Sequence, residues 1–124
     1  MLKILIVDDE PDVEIMFLQQ FRKQIKEGIV SLHFAFGARE ALDFMDTLMP
    51  FDIMMLLSDI NMPGMTGLQL LEEVKRIYPG LRVIMVTAYG NPHYRSESQR
   101  LGADGYLTKP VDFIELKEKY LLLK

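Results

Sequence analysis

The apolar residues of this chain change their spacing repeatedly, from short continuous runs to stretches with helical periodicity. A short continuous run predicts a strand, because a strand that is covered on both faces is apolar throughout. Five strands are predicted, at residues 3–7, 30–36, 53–58, 82–86 and 106–108. Strands that alternate with helices are typical of a parallel sheet with helices on both faces and right-handed crossovers.

The same pattern predicts which strands lie inside the sheet and where the first helix lies. The run at 53–58 is the most apolar, which predicts a central strand, whereas the run at 30–36 alternates, which predicts an edge strand. The first helix is expected to begin with Pro11 and to end near Gly28, since these residues suit a first turn and a helix end. Its apolar face is predicted to comprise Val13, Met16, Phe17, Phe21 and Ile25.

The remaining helices follow from the same spacing. The second has an apolar face made of Ala38, Ala41, Leu42 and Met45. The third is expected to be capped by Thr66 and to bury Leu68, Leu71, Val74 and Ile77. The fourth, at 92–101, is polar and has few core anchors, and the last is marked by Phe113, Leu116 and Tyr120.

The composition narrows the class of protein. With 124 residues, 49% hydrophobic and 26% charged, the chain is expected to form one domain over residues 1–124. The absence of cysteine excludes disulfides, thiolate metal sites and cysteine nucleophiles. A net charge of −4 predicts no direct binding to nucleic acid or to anionic membranes. Since no apolar run spans a bilayer and acidic residues come too early for a signal peptide, the cytoplasm is the expected location.

Polar residues follow four of the five predicted strands. Asp8 and Asp9 come after the first strand, Asp59 after the third, Thr87 after the fourth and Lys109 after the fifth. In parallel sheets of this kind, ligands bind at the carboxyl ends of the strands, near the point where the strand order reverses. We therefore expect these side chains to converge on one edge of the sheet.

This combination of residue types indicates a site that accepts a phosphoryl group. Neighbouring carboxylates repel one another unless a cation lies between them, and carboxylate oxygens favour Mg²⁺. Mg²⁺ and a lysine ammonium group together are suited to hold phosphoryl oxygens. An aspartate between them can act as the nucleophile and form an aspartyl phosphate, to which the Thr87 hydroxyl can donate a hydrogen bond.

Each of these residues also has a purely structural interpretation. Asp8 or Asp9 can cap the helix that follows, Asp59 can form an Asx turn, Thr87 can be an ordinary strand-end hydroxyl, and Lys109 can be a solvated surface charge. The functional interpretation rests on their combination, because four strand ends supply complementary chemistry.

Four segments of the chain resemble the receiver domains of two-component response regulators. They are ILIVDDEP at 4–11, SDINMPGMTG at 58–67, VTAYG at 86–90 and GADGYLTKP at 102–110. The resemblance covers essentially all of the chain. It implies an α/β fold of the flavodoxin-like, CheY-like type, a doubly wound parallel sheet of five strands in the order 2-1-3-4-5 with helices on both faces. It also implies a cis peptide bond between Lys109 and Pro110.

The resemblance implies roles for the residues of the acidic site. Asp59 resembles the phosphoacceptor of the family. Asp8 and Asp9 resemble the acidic pair that binds Mg²⁺, with Asp9 the more direct ligand and Asp8 acting largely through water. The backbone carbonyl of Asn61 matches the position that completes the metal shell, and Asp59 itself is also expected among the ligands.

The resemblance likewise implies a switch and its partners. Thr87 resembles the switch hydroxyl, Lys109 the phosphate-binding lysine and Tyr106 the switch aromatic residue. A sensor histidine kinase or a phosphotransfer protein is the expected donor, and phosphorylation is expected to change the surface formed by the helix at 92–101, the fifth strand and the final helix. That surface is expected to contact an effector domain or partner protein and allows a homodimer, so the chain is interpreted as a signalling module rather than an enzyme.

Two other functions stay open. A Mg²⁺-dependent phosphohydrolase of the haloacid-dehalogenase type also uses a strand-end aspartate nucleophile, but it usually carries a second carboxylate two residues later, where this chain has Asn61. A degenerate receiver would bind a partner without phosphorylation, although the complete set of site residues argues against it.

The sequence departs from the family pattern at two places. The stretch from Asp52 to Asp59 is about two residues longer than usual, and an even insertion preserves the side-chain parity of a strand. Asp59 is therefore still expected to face the site. The region at 24–32 is also slightly long.

Overall fold

The structure, a computed structural model, describes residues 2–47, 54–62, 64–88 and 92–122. The strands are β1 (Leu2–Val7), β2 (Val30–Ala35), β3 (Met54–Asp59), β4 (Arg82–Thr87) and β5 (Gly105–Thr108). The helices are α1 (Pro11–Gln20), α2 (Arg22–Lys26), α3 (Ala38–Met45), α4 (Gly67–Ile77), α5 (Pro92–Arg100) and α6 (Phe113–Glu115), and α6 continues as a π-helical turn over Leu116–Tyr120. All five predicted strands are present. The predicted start of the third strand, at residue 53, lies outside the described residues, as does the first part of the stretch at 52–59 that is longer than usual.

The five strands form one parallel sheet in the order β2-β1-β3-β4-β5. This order, the edge position of β2 and the central position of β3 confirm the predictions. The register aligns the strand ends, since Val7 pairs with both Ala35 and Ser58, and Asp59 pairs with Val86. The carboxyl ends of the strands therefore lie along one edge of the sheet.

Two hydrophobic clusters cover the two faces of this sheet. Leu5 and Val7 of β1 belong to the cluster beneath α3 and α4, whereas Ile4 and Ile6 belong to the cluster beneath α1 and the end of the chain. Successive strand residues point to opposite faces, so the four successive apolar residues at the end of β1 serve both clusters. Within the described parts of the chain, no helix is long and apolar enough to cross a membrane.

The first helix is interrupted at Phe21, which the periodicity did not predict. Phe21 has φ −105° and ψ 12°, outside the helical range, and its buried ring stacks on Phe17 at 6.0 Å. The interruption rotates the following turn, so that Gln24 is buried in α2 and Ile25 is 36% exposed. The predictions that Met16 and Ile25 lie in the core are wrong, because Met16 is also 36% exposed.

Helix α4 begins as the sequence predicts. The Thr66 hydroxyl accepts a hydrogen bond from the Gln69 backbone N–H, and the Gln69 side chain accepts one from the Thr66 N–H. This reciprocal pair is a capping box, which satisfies two backbone donors that have no partner inside the helix. The predicted buried face is confirmed at Leu71 and Val74 and corrected at both ends of the helix, since Leu70 is buried in place of the half-buried Leu68, and Ile77 is exposed.

We expect Thr66→Ala to lower the free energy of unfolding by about 1 kcal/mol, because the hydroxyl that caps α4 is lost. Chemical denaturation measures this change. Ser96→Ala is the control, since Ser96 is an exposed residue within α5, and its effect should stay within about 0.5 kcal/mol. Equal effects of the two substitutions would contradict the capping role.

The end of the chain packs against α1. The Asp112 side chain accepts hydrogen bonds from the backbone N–H groups of Ile114 and Glu115 and so caps α6. Phe113 then packs edge-on against Phe17, with ring centroids 5.0 Å apart. The peptide bond between residues 109 and 110, just before this helix, is cis as expected. These contacts fix the segment that carries the lysine of the candidate site.

Candidate functional site

Side chains from four strand ends lie at the carboxyl edge of the sheet. Asp8 follows β1, and its backbone N–H donates to the Ala35 carbonyl at 3.1 Å. Asp59 and Thr87 are the last residues of β3 and β4. Lys109 follows β5, and its N–H donates to the Thr87 carbonyl at 2.8 Å. These two hydrogen bonds extend the β1–β2 pair and the β4–β5 pair by one residue each. The polar residues therefore lie just beyond the apolar core.

Lys109 joins the carboxylates of the site. Its Nζ lies 2.7 Å from Asp8 Oδ2, 3.7 Å from Glu10 Oε1 and 3.8 Å from Asp59 Oδ1. The Asp8 side chain is buried and the Lys109 side chain is 20% exposed. One ammonium group therefore partly compensates the charge of two buried aspartates that come from different strands.

A third carboxylate belongs to the acidic cluster and was not predicted from the sequence. Carboxylate oxygens of Asp8, Asp9 and Glu10 lie within 4.8 Å of one another. Asp8 is buried, whereas Asp9 and Glu10 are exposed. The sequence signal was the uninterrupted acidic run at residues 8–10, of which only the first two were singled out.

The geometry of this cluster bears on the alternative that the aspartates only cap α1. Asp8 Oδ1 accepts a hydrogen bond at 3.0 Å from the backbone N–H of Glu10, which is itself the residue at the N-cap. The Glu10 side chain makes no capping hydrogen bond to α1. The Asp8 carboxylate is therefore held beside Lys109 and does not satisfy the free N–H groups of the first helical turn.

Asp59 is buried, and its pKa is raised from 3.8 to about 6. Burial is the main cause, because it disfavours the charged form, and the negative charges of Asp8 and Asp9 act in the same direction. The positive charge of Lys109 and a backbone hydrogen bond from Ile60 oppose the rise. The carboxylate of Asp59 is thus ionised at neutral pH, but its negative charge is poorly compensated. This is expected of a group that binds a cation or reacts with an electrophile.

The charge of Lys109 is stabilised by the same environment. Burial alone would lower the pKa of Lys109, but the hydrogen bond to Asp8 and the negative charges of Asp59, Asp8 and Glu10 outweigh it and raise the pKa. Lys109 is therefore a permanent cation at neutral pH, which is the state needed to bind an anionic group.

Gly67 lets α4 approach the backbone of Asp59 closely. A Cβ atom at Gly67 would lie 1.9 Å from the Asp59 carbonyl oxygen and 2.8 Å from the Cα of Ile60. The Gly67 N–H donates to the Ile60 carbonyl at 2.8 Å. Both neighbours are backbone atoms that cannot rotate away, so only glycine fits at the start of α4. The position of the phosphoacceptor candidate thus depends on this residue.

The other predicted residues lie on the two neighbouring strands and on the segment after β3. Thr87 is fully buried and follows Val86, the register partner of Asp59. Tyr106 is half-buried on β5, and the Arg95 guanidinium lies 4.8 Å from the centre of its ring. Asn61 is exposed two residues after Asp59, and its side-chain Oδ1 accepts a hydrogen bond from the Tyr94 hydroxyl at 3.2 Å.

A cavity of about 170 Å³ adjoins the charged residues. Its lining combines Asp8, Asp59 and Lys109 with apolar residues of α1 and of the segment after β5, among them Val13, Phe17 and Val111. There is consequently space next to Asp59 for a small group that a donor molecule presents.

The donor set of the site fits a hard divalent cation. Mg²⁺ prefers oxygen ligands and is bound through one or two carboxylates while it keeps several waters. Asp9 and Glu10 present exposed carboxylates beside the buried Asp8, and the cluster contains neither His nor Cys. These residues suit Mg²⁺ better than zinc.

A comparison with protein families gives the class of protein that this fold and site define. The family model described as response regulator receiver domain matches residues 4–121. The chain therefore belongs to the receiver domains of two-component response regulators, as the sequence motifs implied. Receiver domains are signalling modules that interact with histidine kinases or phosphotransfer proteins and with effector domains, and the family binds Mg²⁺ at an acidic pocket.

Particular relatives include a short protein and a much longer one. Sporulation initiation phosphotransferase F of Bacillus subtilis is 39% identical over 125 residues, an alignment that covers 98% of this chain and 95% of that protein. Response regulator protein PilR of Pseudomonas aeruginosa is 36% identical over 94% of this chain, but the alignment covers only 24% of PilR. The chain is thus similar to nearly the whole of one short protein and to one portion of a larger regulator.

Two solved structures share the fold over nearly the whole of their chains. The chemotaxis protein CheY4 of Vibrio cholerae superimposes with a TM-score of 0.82 at 28% identity, covering 100% of this chain and 99% of that one. A CheY-like receiver domain from Methanospirillum hungatei gives a TM-score of 0.83 at 34% identity, covering 96% and 90%. The predicted flavodoxin-like, CheY-like fold is confirmed.

Proposed function

We propose that this chain is a single receiver domain that accepts a phosphoryl group on Asp59 in a Mg²⁺-dependent reaction. The observation that carries the proposal is the position of Lys109, whose Nζ lies 2.7 Å from Asp8 and 3.8 Å from Asp59 at the carboxyl edge of the sheet. A buried carboxylate with a raised pKa, a lysine and exposed acidic ligands together form a site for a phosphoryl group and a hard cation.

The transfer itself is a displacement at phosphorus. A carboxylate oxygen of Asp59 attacks the phosphorus of a phosphohistidine on a sensor kinase or phosphotransfer protein, and an O–P bond forms as the N–P bond breaks. The electron pair stays on the imidazole nitrogen, which takes a proton from water. The Asp59 carboxyl must be ionised to attack, and with a pKa of about 6 it is mostly ionised at neutral pH.

The acidic residues would hold Mg²⁺ next to the nucleophile. Asp9 would be a direct ligand, Asp8 would act largely through water, and Asp59 and the backbone carbonyl of Asn61 would complete the set. When bound, Mg²⁺ neutralises charge on the phosphoryl oxygens. Lys109 would then bind a phosphoryl oxygen, since Asp59 already lies within 3.8 Å of its Nζ.

Thr87 and Tyr106 would convert the modification into a change of surface. The Thr87 hydroxyl would donate a hydrogen bond to a phosphoryl oxygen, and the half-buried Tyr106 ring would move inward as Thr87 moves toward Asp59. The affected surface comprises α5, β5 and α6. It would contact an effector domain or a partner protein, or a second copy of the chain, with the cytoplasm as the proposed location.

The geometry favours a switch over a phosphohydrolase. The residue two positions after Asp59 is Asn61, whose amide side chain cannot supply the proton that a general acid must donate. Its Oδ1 already accepts a hydrogen bond from Tyr94. We therefore propose that the chain does not turn over phosphate esters.

We expect acetyl phosphate with Mg²⁺ to add one phosphoryl group to the chain, as measured by intact mass. The added mass should be absent from Asp59→Asn and from protein treated with EDTA, because the nucleophile or the cation is missing. Asp46→Asn, a change at an exposed aspartate at the end of α3, is the matched control and should be modified like the wild type.

Two results would contradict the proposed function. An added phosphoryl group that persists in Asp59→Asn would show that the nucleophile is another residue. Steady hydrolysis of an aryl phosphate that is lost in Asp59→Asn would favour the phosphohydrolase instead.

A further inference from the structure

Helix α5 has few anchors in the core. Of its nine residues, all of which the structure describes, Ser98 alone is buried. The Ser98 hydroxyl has no hydrogen-bond partner among the described residues, and a buried hydroxyl without a partner is unfavourable. The position of α5 therefore depends strongly on the contacts that its other residues make.

Two of those contacts come from its first turn and reach Asn61, just after β3, and Tyr106 on β5. The Tyr94 hydroxyl donates to Asn61 Oδ1 at 3.2 Å, and the Arg95 guanidinium lies over the Tyr106 ring at 4.8 Å. Tyr94 is half-buried and packs against the core cluster beneath α3 and α4. Because a tyrosine hydroxyl can both donate and accept, its contact with Asn61 holds for either orientation of the amide.

Asn61 belongs at once to the acidic site and to the attachment of α5. Its backbone follows Asp59 by two residues, and its carbonyl is assigned to the metal shell in the proposed function. A change in the backbone of Asn61 that turns this carbonyl toward a cation also moves the side chain. The hydrogen bond to Tyr94 passes that movement to a helix that has little else to hold it.

We propose that Tyr94 is a positioning residue that couples the acidic pocket to α5, so that a divalent cation alone shifts α5 before any phosphoryl group arrives. The inference rests on the proposed function for the metal site. The coupling between the cation and α5 passes through Asn61 and does not involve Thr87. Coupling between two sites is reciprocal. The contact that lets the cation act on α5 must therefore also make the affinity for the cation depend on the position of α5.

The test is a titration of the metal-free protein with Mg²⁺, followed by backbone amide NMR. In the wild type we expect shifts at Asp8 and Asp9 and also along α5. In Tyr94→Phe, which removes only the hydroxyl, the shifts at Asp8 and Asp9 should remain while those of α5 fall by about half or more. The dissociation constant for Mg²⁺ should fall about threefold, since the backbone of Asn61 can then turn toward the cation without moving α5.

Two further variants separate coupling from a general effect on structure. Asn61→Ala should reduce the α5 response as Tyr94→Phe does, and the double variant should add nothing further, because both remove the same contact. Tyr78→Phe should behave like the wild type, since Tyr78 caps the end of α4 that lies away from Asp59.

The failure of this inference differs from the failure of the proposed function. Shifts at Asp8 and Asp9 with an α5 response that is absent, or unchanged in Tyr94→Phe, would overturn the coupling alone. An absence of Mg²⁺-dependent shifts at Asp8 and Asp9 would overturn both the metal site and the coupling.

Discussion

Gly67→Ala is expected to lower the free energy of unfolding by about 3 kcal/mol, the largest change in stability that we predict for one added methyl group. The new Cβ would lie 1.9 Å from the carbonyl oxygen of Asp59, so α4 and the end of β3 must separate. The same separation displaces Asp59, and phosphorylation by acetyl phosphate should slow markedly. Chemical denaturation and the rate of modification measure the two effects.

Gly80→Ala is the matched control for this substitution. Gly80 follows the end of α4, and a Cβ there would have no atom within 4 Å apart from those of its two chain neighbours. Its effect on the free energy of unfolding should therefore stay within about 1 kcal/mol. A Gly67→Ala protein as stable as Gly80→Ala would show that the backbone of α4 does not need to approach Asp59 so closely.

Asp59→Asn is expected to stabilise the metal-free protein at neutral pH by between about 2 and 3 kcal/mol. The pKa of Asp59 rises from 3.8 in the unfolded chain to about 6 in the folded protein. Between these values the folded protein holds a proton that the unfolded chain has released, so the stability of the wild type falls as the pH rises through this window. Asparagine carries no charge and avoids that loss.

The pH dependence distinguishes this effect from a simple change in packing. Thermal and chemical denaturation in EDTA should show little difference between Asp59→Asn and the wild type below about pH 4, and the full difference above about pH 6. Asp46→Asn, a change at an exposed aspartate, should give no comparable trend. If the difference in stability between the two proteins were constant with pH, the charge of Asp59 could not be its cause.

The sequence predicted the sheet well because strands and turns leave local signals. The run from Ile4 to Val7 is apolar at every position, and the sheet buries it on both faces. The edge strand β2 alternates, and Thr66 with Gln69 forms a recognisable cap. Each of these features depends on residues that are close together in the chain.

The errors came from contacts between distant segments. The interruption at Phe21 accompanies the packing of its ring against Phe17 and Phe113, and Phe113 lies far away in the sequence. The rotated turn buries Gln24 and exposes Ile25, which a single helical period cannot represent. Likewise, only the tertiary structure shows that Ile77 extends beyond the core.

In the candidate site, too, some features have a local sequence signal and others depend on contacts between distant segments. Strand-end positions and residue types were enough to select Asp8, Asp59 and Lys109, because a parallel sheet brings its carboxyl ends together. The hydrogen bond between Tyr94 and Asn61 joins residues on different elements, and its geometry follows only from the packing of α5. The contribution of Glu10 depends on how the chain turns into α1 after Asp8.

The most direct test of the central claim is to identify the residue that carries the phosphoryl group. Borohydride reduces an acyl phosphate to an alcohol, so an aspartyl phosphate becomes homoserine, which peptide mass spectrometry locates in the sequence. After treatment with acetyl phosphate and Mg²⁺, the account predicts homoserine at residue 59 and at no other aspartate. Homoserine at residue 8 or 9, or none at all after the treatment, would contradict it.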